Sequence, residues 1–439
     1  MKALTIGLTV STCLSSLDVY AQGFFEDSKV SVQTRNFYYS QDIRSTHTPG
    51  QAQWGQGFLI NARSGYTAST VGFGIDALLL SGFRLDDGGH IGKAQARRVP
   101  AAGGLFPIED GRSVDEFSSL GLTAKARYGK SVMQYGTFQP LLPVVWRNDG
   151  RLLPQTYNGW QFQSKDVEQV TLTLGRLDHS KGRASTDQQG LSIAGANSNR
   201  HAFVNQFYYG GVDYSPTKAL LLRYYFGNLE DFYWQNFYGA QYKHPLSFGQ
   251  LGIDLRYFDS RSSGKNASLE GRADGYRSSG NWSAGDPHRG EVDNQTWSIE
   301  TSLKIKSNKW GVAYQQMNGS SQYVYLDQGN GSTTYLITQR LVDPFNYSGS
   351  KTWQAYYNYQ FSAIGVPGLS AQVTYTQARN IRNGDRLLGQ QETDLEVFYQ
   401  VQKAPLKGLF LGWRHGQMKS DVRPDTTQDR LFITYNFDL

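Results

Sequence analysis

Hydrophobic and polar residues alternate along many segments of this chain. Near the C-terminus, Leu431, Ile433 and Phe437 lie at alternating positions, and polar residues such as Arg430 and Thr434 lie between them. A period of two places successive side chains on opposite faces of an extended strand. The pattern therefore predicts strands with one apolar and one polar face. The same alternation covers residues 297–305, 352–361 and 394–401.

Three further features favour membrane-spanning strands over a soluble β-sandwich. The strands run for about 9–11 residues, which a tilted strand needs to cross a bilayer. Tyrosine and tryptophan occur at strand ends, as in interfacial girdles. Short turns alternate with long, polar, glycine-rich connections at residues 86–115, 180–200, 260–294, 319–350 and 380–392. We predict an all-β chain with one transmembrane antiparallel β-barrel domain over residues 22–439.

The N-terminal segment predicts export. Lys2 is followed by an apolar run to Leu17, and small residues precede a break after Ala21. This order is typical of a signal peptide, and the run is shorter than the roughly 20 residues of a membrane helix. We expect residues 1–21 to be removed and the protein to reach the bacterial outer membrane through the periplasm. Cys13, the only cysteine, lies in this segment, so the mature chain offers no disulfide.

The composition excludes several classes of protein. The mean hydropathy is −0.51 and hydrophobic residues make up 39%, which is low for a chain with several buried cores. Aromatic residues, at 14%, and the 48 glycines fit a barrel that is apolar outside and wet inside. The net charge is +6, but the basic residues form no concentrated patch as in nucleic-acid binding. The seven histidines are scattered. We therefore expect no cofactor, no metal and no nucleic-acid partner.

Several segments resemble the OprD family of substrate-specific outer-membrane porins, also called outer-membrane carboxylate channels. The segments that carry the resemblance, in chain order, are residues 23–39, 71–77, 148–156, 254–258, 314–319, 365–369 and 405–409. The resemblance implies about 18 strands, a pore narrowed by an inward-folded third and seventh loop, and a row of lumenal arginines. It also implies passive, selective diffusion of small solutes that carry a carboxylate, such as amino acids or aromatic and cyclic acids.

Strand parity identifies basic residues that would point into the lumen. A carboxylate that loses water in a narrow pore needs donors to replace it, and the guanidinium fork matches its geometry. A series of weak sites lets the solute leave as well as enter. For each single residue, a solvated lumenal charge without a substrate role is the alternative. The candidates are Arg35, Arg63, Lys125, Arg127, Arg223, Arg256 and Arg414.

Two loops are candidates for the constriction, and mobile external loops are the alternative for both. Residues 139–157 contain three prolines, which suit a stiff loop fixed against the wall. Residues 319–350 supply charges of both signs, which would let the pore orient a zwitterion. The candidate residues are Trp146, Asp149, Arg151, Arg340 and Asp343.

The chain departs from the family where arginines are frequent on late strands, because Thr374, Thr376 and Gly412 occupy such positions. Because of these departures, the later strands contribute fewer arginines to the lumenal row. They leave open the strength of anion selection and the subgroup of carboxylates.

Two other functions remain open. A less selective porin for neutral solutes or sugars would use a line of aromatic residues, for which Tyr233, Trp234 and Tyr238 are candidates. An outer-membrane hydrolase would need a histidine such as His201 or His415 beside a nucleophile, but the chain has no GxSxG motif. The expected partners of a porin are outer-membrane lipid, lipopolysaccharide and the barrel-assembly machinery, with a homotrimer as one form of assembly.

Overall fold

The computed structural model describes residues 23–44, 50–87, 104–197, 202–327 and 333–438. Within these residues, eighteen antiparallel strands form a closed barrel, in which each strand pairs with its neighbours in the chain and β1 pairs with β18. The predicted barrel and its strand number are confirmed. The predicted signal peptide lies outside the described residues. The strands are β1 (Lys29–Ile43), β2 (Gln51–Arg63), β3 (Gly72–Asp86), β4 (Glu116–Tyr128), β5 (Ser131–Phe138), β6 (Thr156–Ser164), β7 (Val170–Lys181), β8 (Phe207–Thr217), β9 (Leu220–Leu229), β10 (Tyr233–Leu246), β11 (Gly249–Ser262), β12 (Asp293–Ile305), β13 (Asn308–Asn318), β14 (Lys351–Gln360), β15 (Leu369–Asn383), β16 (Arg386–Gln400), β17 (Phe410–Ser420) and β18 (Thr426–Asp438).

The apolar face of the strands lies outside the barrel. Trp353 is 59% exposed, whereas its neighbours Thr352 and Gln354 point inward and are buried. The same alternation places Leu431 and Ile433 outward at the C-terminal strand. Because the outer face of a membrane barrel contacts hydrocarbon, these exposed apolar side chains form the lipid-facing band.

The connections lie at two ends of the barrel. Short turns join β4 to β5, β8 to β9 and β12 to β13, and the long connections lie at the opposite end. Long loops of such barrels are extracellular and short turns periplasmic. The prediction of a long external loop at residues 380–392 was wrong. Strands β15 and β16 continue to a two-residue turn, and Gly384 adopts a φ of 60° there, which glycine tolerates.

Regular structure outside the barrel is sparse in the described residues. Within them, one short helix, Leu269–Ala273, and two 3₁₀ turns, Gly264–Ala267 and Phe361–Ile364, lie in connections. Short paired segments are Ile108–Glu109 with Arg112–Ser113, Leu141–Leu142 with Val145–Trp146, and Gln188–Gln189 with the end of β7. None of the helices in the described residues has the length and apolar character of a membrane span.

The two largest apolar clusters inside the barrel receive inward loops. The major inner cluster contains Phe207, Tyr225 and Phe237 on strands β8 to β10, together with residues of several loops. The minor inner cluster contains Phe37 and Leu80 on strands β1 and β3, with further residues of β4 and the loops. A barrel of this size is wide enough to hold water, so these clusters mark where loops replace it.

Candidate solute pathway and its constriction

Loop 3, residues 139–155, crosses the lumen between the two inner clusters. Its turn at Val144 and Val145 packs in the major inner cluster. Its second half buries Leu152 and Leu153 in the minor inner cluster, where both side chains are at most 1% exposed. The loop is therefore fixed to two separate sectors of the wall by apolar contacts.

Glycines on the wall make room for this loop. A β-carbon at Gly55 of β2 would lie 2.8 Å from Cδ2 of Leu152, closer than carbon atoms pack. At Gly57, two positions further along the same face, it would lie 3.2 Å from Cδ1 of Leu152. The absence of side chains at these two positions lets the loop lie directly on the strand backbone.

Arg35 of β1 adds a polar attachment for loop 3. Its Nη1 atom donates to Oδ1 of Asp149 at 2.7 Å and to the carbonyl oxygen of Arg151 at 2.9 Å. The arginine is 9% exposed. It therefore holds the loop to the wall, and its charge is largely matched by Asp149.

The described residues of loop 7, 319–327 and 333–350, lie inside the barrel beside loop 3, and Tyr335 is their main point of contact with it. The Tyr335 ring lies 5.1 Å from that of Trp146 in loop 3, centroid to centroid. Arg223 donates to the Tyr335 hydroxyl at 2.7 Å, and Arg256 donates to its carbonyl oxygen at 2.8 Å. Both arginines are also ion-paired, to Asp213 and Asp254 respectively.

The second half of loop 7 is held by three polar side chains, two on strands β16 and β18 and one in the connection between β17 and β18. The Glu392 carboxylate accepts the backbone N–H groups of Val342 and Asp343 at 2.7 and 3.1 Å. Arg423 forms an ion pair of 2.9 Å with the Asp343 carboxylate. Arg430 of β18 donates to the carbonyl oxygen of Leu341 at 2.7 Å. Together these contacts keep the loop inside the barrel.

A cavity of about 1010 Å³ remains between loops 3 and 7 and the wall. Eight arginines and four carboxylates line it, which leaves a net excess of four positive charges. The arginines are Arg147, Arg151, Arg183, Arg256, Arg340, Arg414, Arg423 and Arg430, and the carboxylates belong to Asp149, Asp327, Asp394 and Glu396. We refer to this space as the arginine cavity.

The structure brings six of the twelve predicted residues together at the arginine cavity, namely Trp146, Asp149, Arg151, Arg256, Arg340 and Arg414. Arg151 stacks on the Tyr39 ring with its guanidinium carbon 3.9 Å from the ring centroid. Arg414 forms an ion pair of 2.9 Å with Glu396. These residues come from loops 3 and 7, β11 and β17, so the cavity collects side chains that are distant in sequence.

The other six lie elsewhere. Arg35 contacts loop 3 and Arg223 contacts loop 7 from the barrel wall, and Asp343, in loop 7 itself, is only 1% exposed. Arg63 and Lys125 line a second cavity of about 410 Å³ towards the short-turn end, where Lys125 pairs with Asp76 at 2.5 Å. Arg127 lies at the end of β4 with its guanidinium carbon 4.4 Å from the Tyr66 ring centroid. Arg147 lines both cavities and marks the passage between them.

Four arginines of the arginine cavity were not predicted from the sequence. Arg147, Arg183 and Arg423 lie in loops, where no strand period marks their direction. Arg430 lies on the polar face of an alternating strand, so parity could have identified it. Arg183 is almost fully buried, and burial together with the nearby charge of Arg151 lowers the pKa of its guanidinium below the ordinary value. This cavity is therefore a place where added negative charge is stabilised.

The three residues that depart from the family pattern, Thr374, Thr376 and Gly412, lie on strands β15 and β17 of the barrel wall. Thr374 and Thr376 point inward and face Asp394 and Glu392 across the strand pair, so this wall is acidic. At Gly412, a β-carbon would lie 2.2 Å from the Phe432 ring, so the ring occupies the space of a side chain there. The arginine cavity accordingly has a basic and an acidic side.

The residues proposed for the alternative functions are dispersed. Tyr233 is fully buried in the major inner cluster, whereas Tyr238 is 49% exposed on the outer face, so they form no common aromatic line. His415 bonds Asp429 at 2.9 Å beside Trp413, also on the outer face, and His201 lies outside the described residues. Among the residues that the structure covers, no group of three or more histidine, cysteine or acidic residues is arranged to hold a metal ion.

Comparisons with known proteins agree with the resemblance seen in the sequence. A family model described as outer membrane porin, OprD family, matches residues 22–439. The solved structure of Pseudomonas aeruginosa OccK8 (OprE) is 44% identical, with a TM-score of 0.88 over 95% of this chain and 100% of that chain. That of P. aeruginosa OpdK with vanillate is 28% identical, with a TM-score of 0.82 and the same coverage. The porin-like protein GalP of Pseudomonas putida is 30% identical over 99% of this chain and 97% of that protein.

Proposed function

Because this chain belongs to the OprD family of outer-membrane porins, and so admits small solutes through the outer membrane, we propose that its pore selects solutes that carry a carboxylate. The observation that supports this proposal is the excess of four positive charges around the arginine cavity. Passage is passive, since a fixed set of charges provides binding without energy coupling.

The electrostatics of the cavity support selection of anions. A carboxylate that enters a space bounded by loops loses part of its water shell, and this loss is unfavourable unless donors replace the water. Arg183 and Arg340 can supply such donors, because Arg183 has no ion pair among the described residues and Arg340 has a carboxylate, Asp394, only at 4.0 Å. The ion-paired Arg256 and Arg414 offer their remaining N–H groups.

The acidic wall adds a second criterion. Asp394 and Glu396 line the same cavity as Arg340 and Arg414. A solute with a carboxylate at one end and an amino or hydroxyl group at the other can contact both sides. The proposed substrates are therefore small acids with such a second group. A related structure, OpdK, was solved with vanillate, which is a small aromatic acid with a hydroxyl group.

The test is ion selectivity in planar bilayers under a salt gradient. Arg183→Gln and Arg340→Gln each remove one of the four excess charges, so the reversal potential should shift towards cation permeation, and further in the double variant. Arg261→Gln is the matched control, because Arg261 lies on the outer face at the external rim, paired with Asp259 and Asp293. A reversal potential that stays at the wild-type value in the double variant would contradict the proposal.

Liposome swelling tests the substrate class directly. Hydroxybenzoates and amino acids should enter faster than their amides of equal size, and the double variant should lose this difference. Neutral sugars that enter as fast as the acids would favour the less selective porin instead.

A further inference from the structure

Three basic side chains lie on the outer face of the barrel at its external rim. They are Lys351 of β14, Arg379 of β15 and Lys419 of β17, and all three are exposed. Each has the strand parity of an outward aromatic residue, namely Trp353, Tyr375 and Trp413. They therefore point away from the lumen, on the external side of the aromatic residues of the lipid-facing band. We call these three residues the basic rim.

The charge of the basic rim is not compensated by ion pairs in the described part of the chain. None of its members forms an ion pair there, and Lys351 is the direct cross-strand partner of Arg379. Like charges directly opposite each other on one face destabilise a sheet. The carboxylates in the adjoining loop are engaged elsewhere, since Asp421 and Asp425 accept backbone N–H groups.

Another part of the external rim is built differently. Arg261 of β11, also on the outer face, forms ion pairs with Asp259 at 3.0 Å and Asp293 at 2.6 Å. Its charge is compensated within the protein. Unpaired charge in the sector of β14 to β17 therefore indicates a negatively charged partner from outside the chain.

The position of the basic rim relative to the membrane indicates which negatively charged partner it binds. The basic rim lies at the headgroup level of the outer leaflet, where the phosphates of lipopolysaccharide are found. Lysine and arginine bind phosphate through charge-assisted hydrogen bonds. We propose that the basic rim binds the phosphate groups of the lipid A part of lipopolysaccharide. This inference is independent of the solute that the pore carries, because these residues do not contact the lumen.

The arrangement suits a phosphorylated glycolipid. Neighbouring strands are about 4.8 Å apart, so Arg379 and Lys419, two strands apart, are separated by roughly 10 Å across the sheet. Gln391 of β16 lies between them on the same face, and its amide oxygen accepts the Tyr375 hydroxyl at 2.9 Å. Its amide nitrogen is then oriented to donate to a sugar oxygen.

Binding of defined lipids to the detergent-purified full-length porin, measured by native mass spectrometry, tests the proposal. The probes are lipid A with two phosphates, lipid A without phosphate, and phosphatidylglycerol. In the variant Lys351→Gln/Arg379→Gln/Lys419→Gln, affinity for the bisphosphorylated probe should fall on the order of a hundredfold, at about fivefold per cation. The matched control is Lys218→Gln/Lys403→Gln/Lys407→Gln, which removes three exposed charges at the short-turn end and should bind as the wild type does.

Single-channel conductance should be unchanged in both triple variants, which shows that they are folded. The proposal is overturned if the basic rim variant binds bisphosphorylated lipid A as tightly as the wild type. It is overturned equally if the wild type binds dephosphorylated lipid A, or phosphatidylglycerol, as tightly as the bisphosphorylated form.

Discussion

Loop 3 depends on two leucines for one of its attachments, and their removal should open the pore. Leu152 and Leu153 are 0% and 1% exposed. Truncation of a buried leucine to alanine costs 2–5 kcal/mol, and the lower end, about 2 kcal/mol, applies here because lumenal water can fill the space. The double variant Leu152→Ala/Leu153→Ala should then weaken the attachment by about 4 kcal/mol, which is about a thousandfold change in the docking equilibrium.

Single-channel recordings in planar bilayers provide the assay. We expect a larger conductance, more current noise and weaker anion selectivity, because the arginines of loop 3 move away from those of the wall. The control is Leu120→Ala/Leu122→Ala, which removes the same atoms from the outer face, where both side chains are more than half exposed. If the loop 3 variant folds and conducts as the wild type does, apolar packing does not hold the loop.

Three further outcomes follow from the described contacts. Glu392→Gln leaves an amide with one acceptor oxygen for the two backbone N–H groups of loop 7, so brief closures in single-channel records should become more frequent; an unchanged record would show that the carboxylate is not required. Gly55→Val should displace the loop 3 anchor and raise conductance, whereas Gly384→Ala, at the external turn, should not. The pKa of the Asp166 carboxyl is lowered by hydrogen bonds from the Ser131 hydroxyl and the Lys130 N–H, so its contribution to turn stability is present above the unfolded pKa of about 3.9 and is lost as pH falls through the lower folded value. Hydrogen-exchange protection of the Lys130 amide should fall over that range in the wild type but not in Asp166→Asn.

The sequence predicted the direction of side chains better than their contacts. A period of two is sufficient to place Arg256 and Arg414 inside the barrel, because strand geometry alone decides the face. It could not show that loop 7 lies on Arg223, or that Asp149 lies on Arg35. Those contacts join residues more than a hundred positions apart, and only the folded loops bring them together.

The composition of the cavity was the least predictable part. Arg183 and Arg423 lie in irregular segments, whose direction depends on packing rather than on any local period. The acidic wall was equally unpredictable, because Asp394 becomes a lining residue only through its position opposite Arg340 of loop 7. The prolines of loop 3 predicted a stiff loop, but they did not indicate which wall it contacts.

The attachment of loop 3 at two sectors makes it a brace across the barrel. Any change in the cross-section of the cylinder, for example when lateral pressure from the surrounding bilayer rises, has to move the brace or detach one of its ends. The two ends of this brace are Val144 and Val145 on one side and Leu152 and Leu153 on the other.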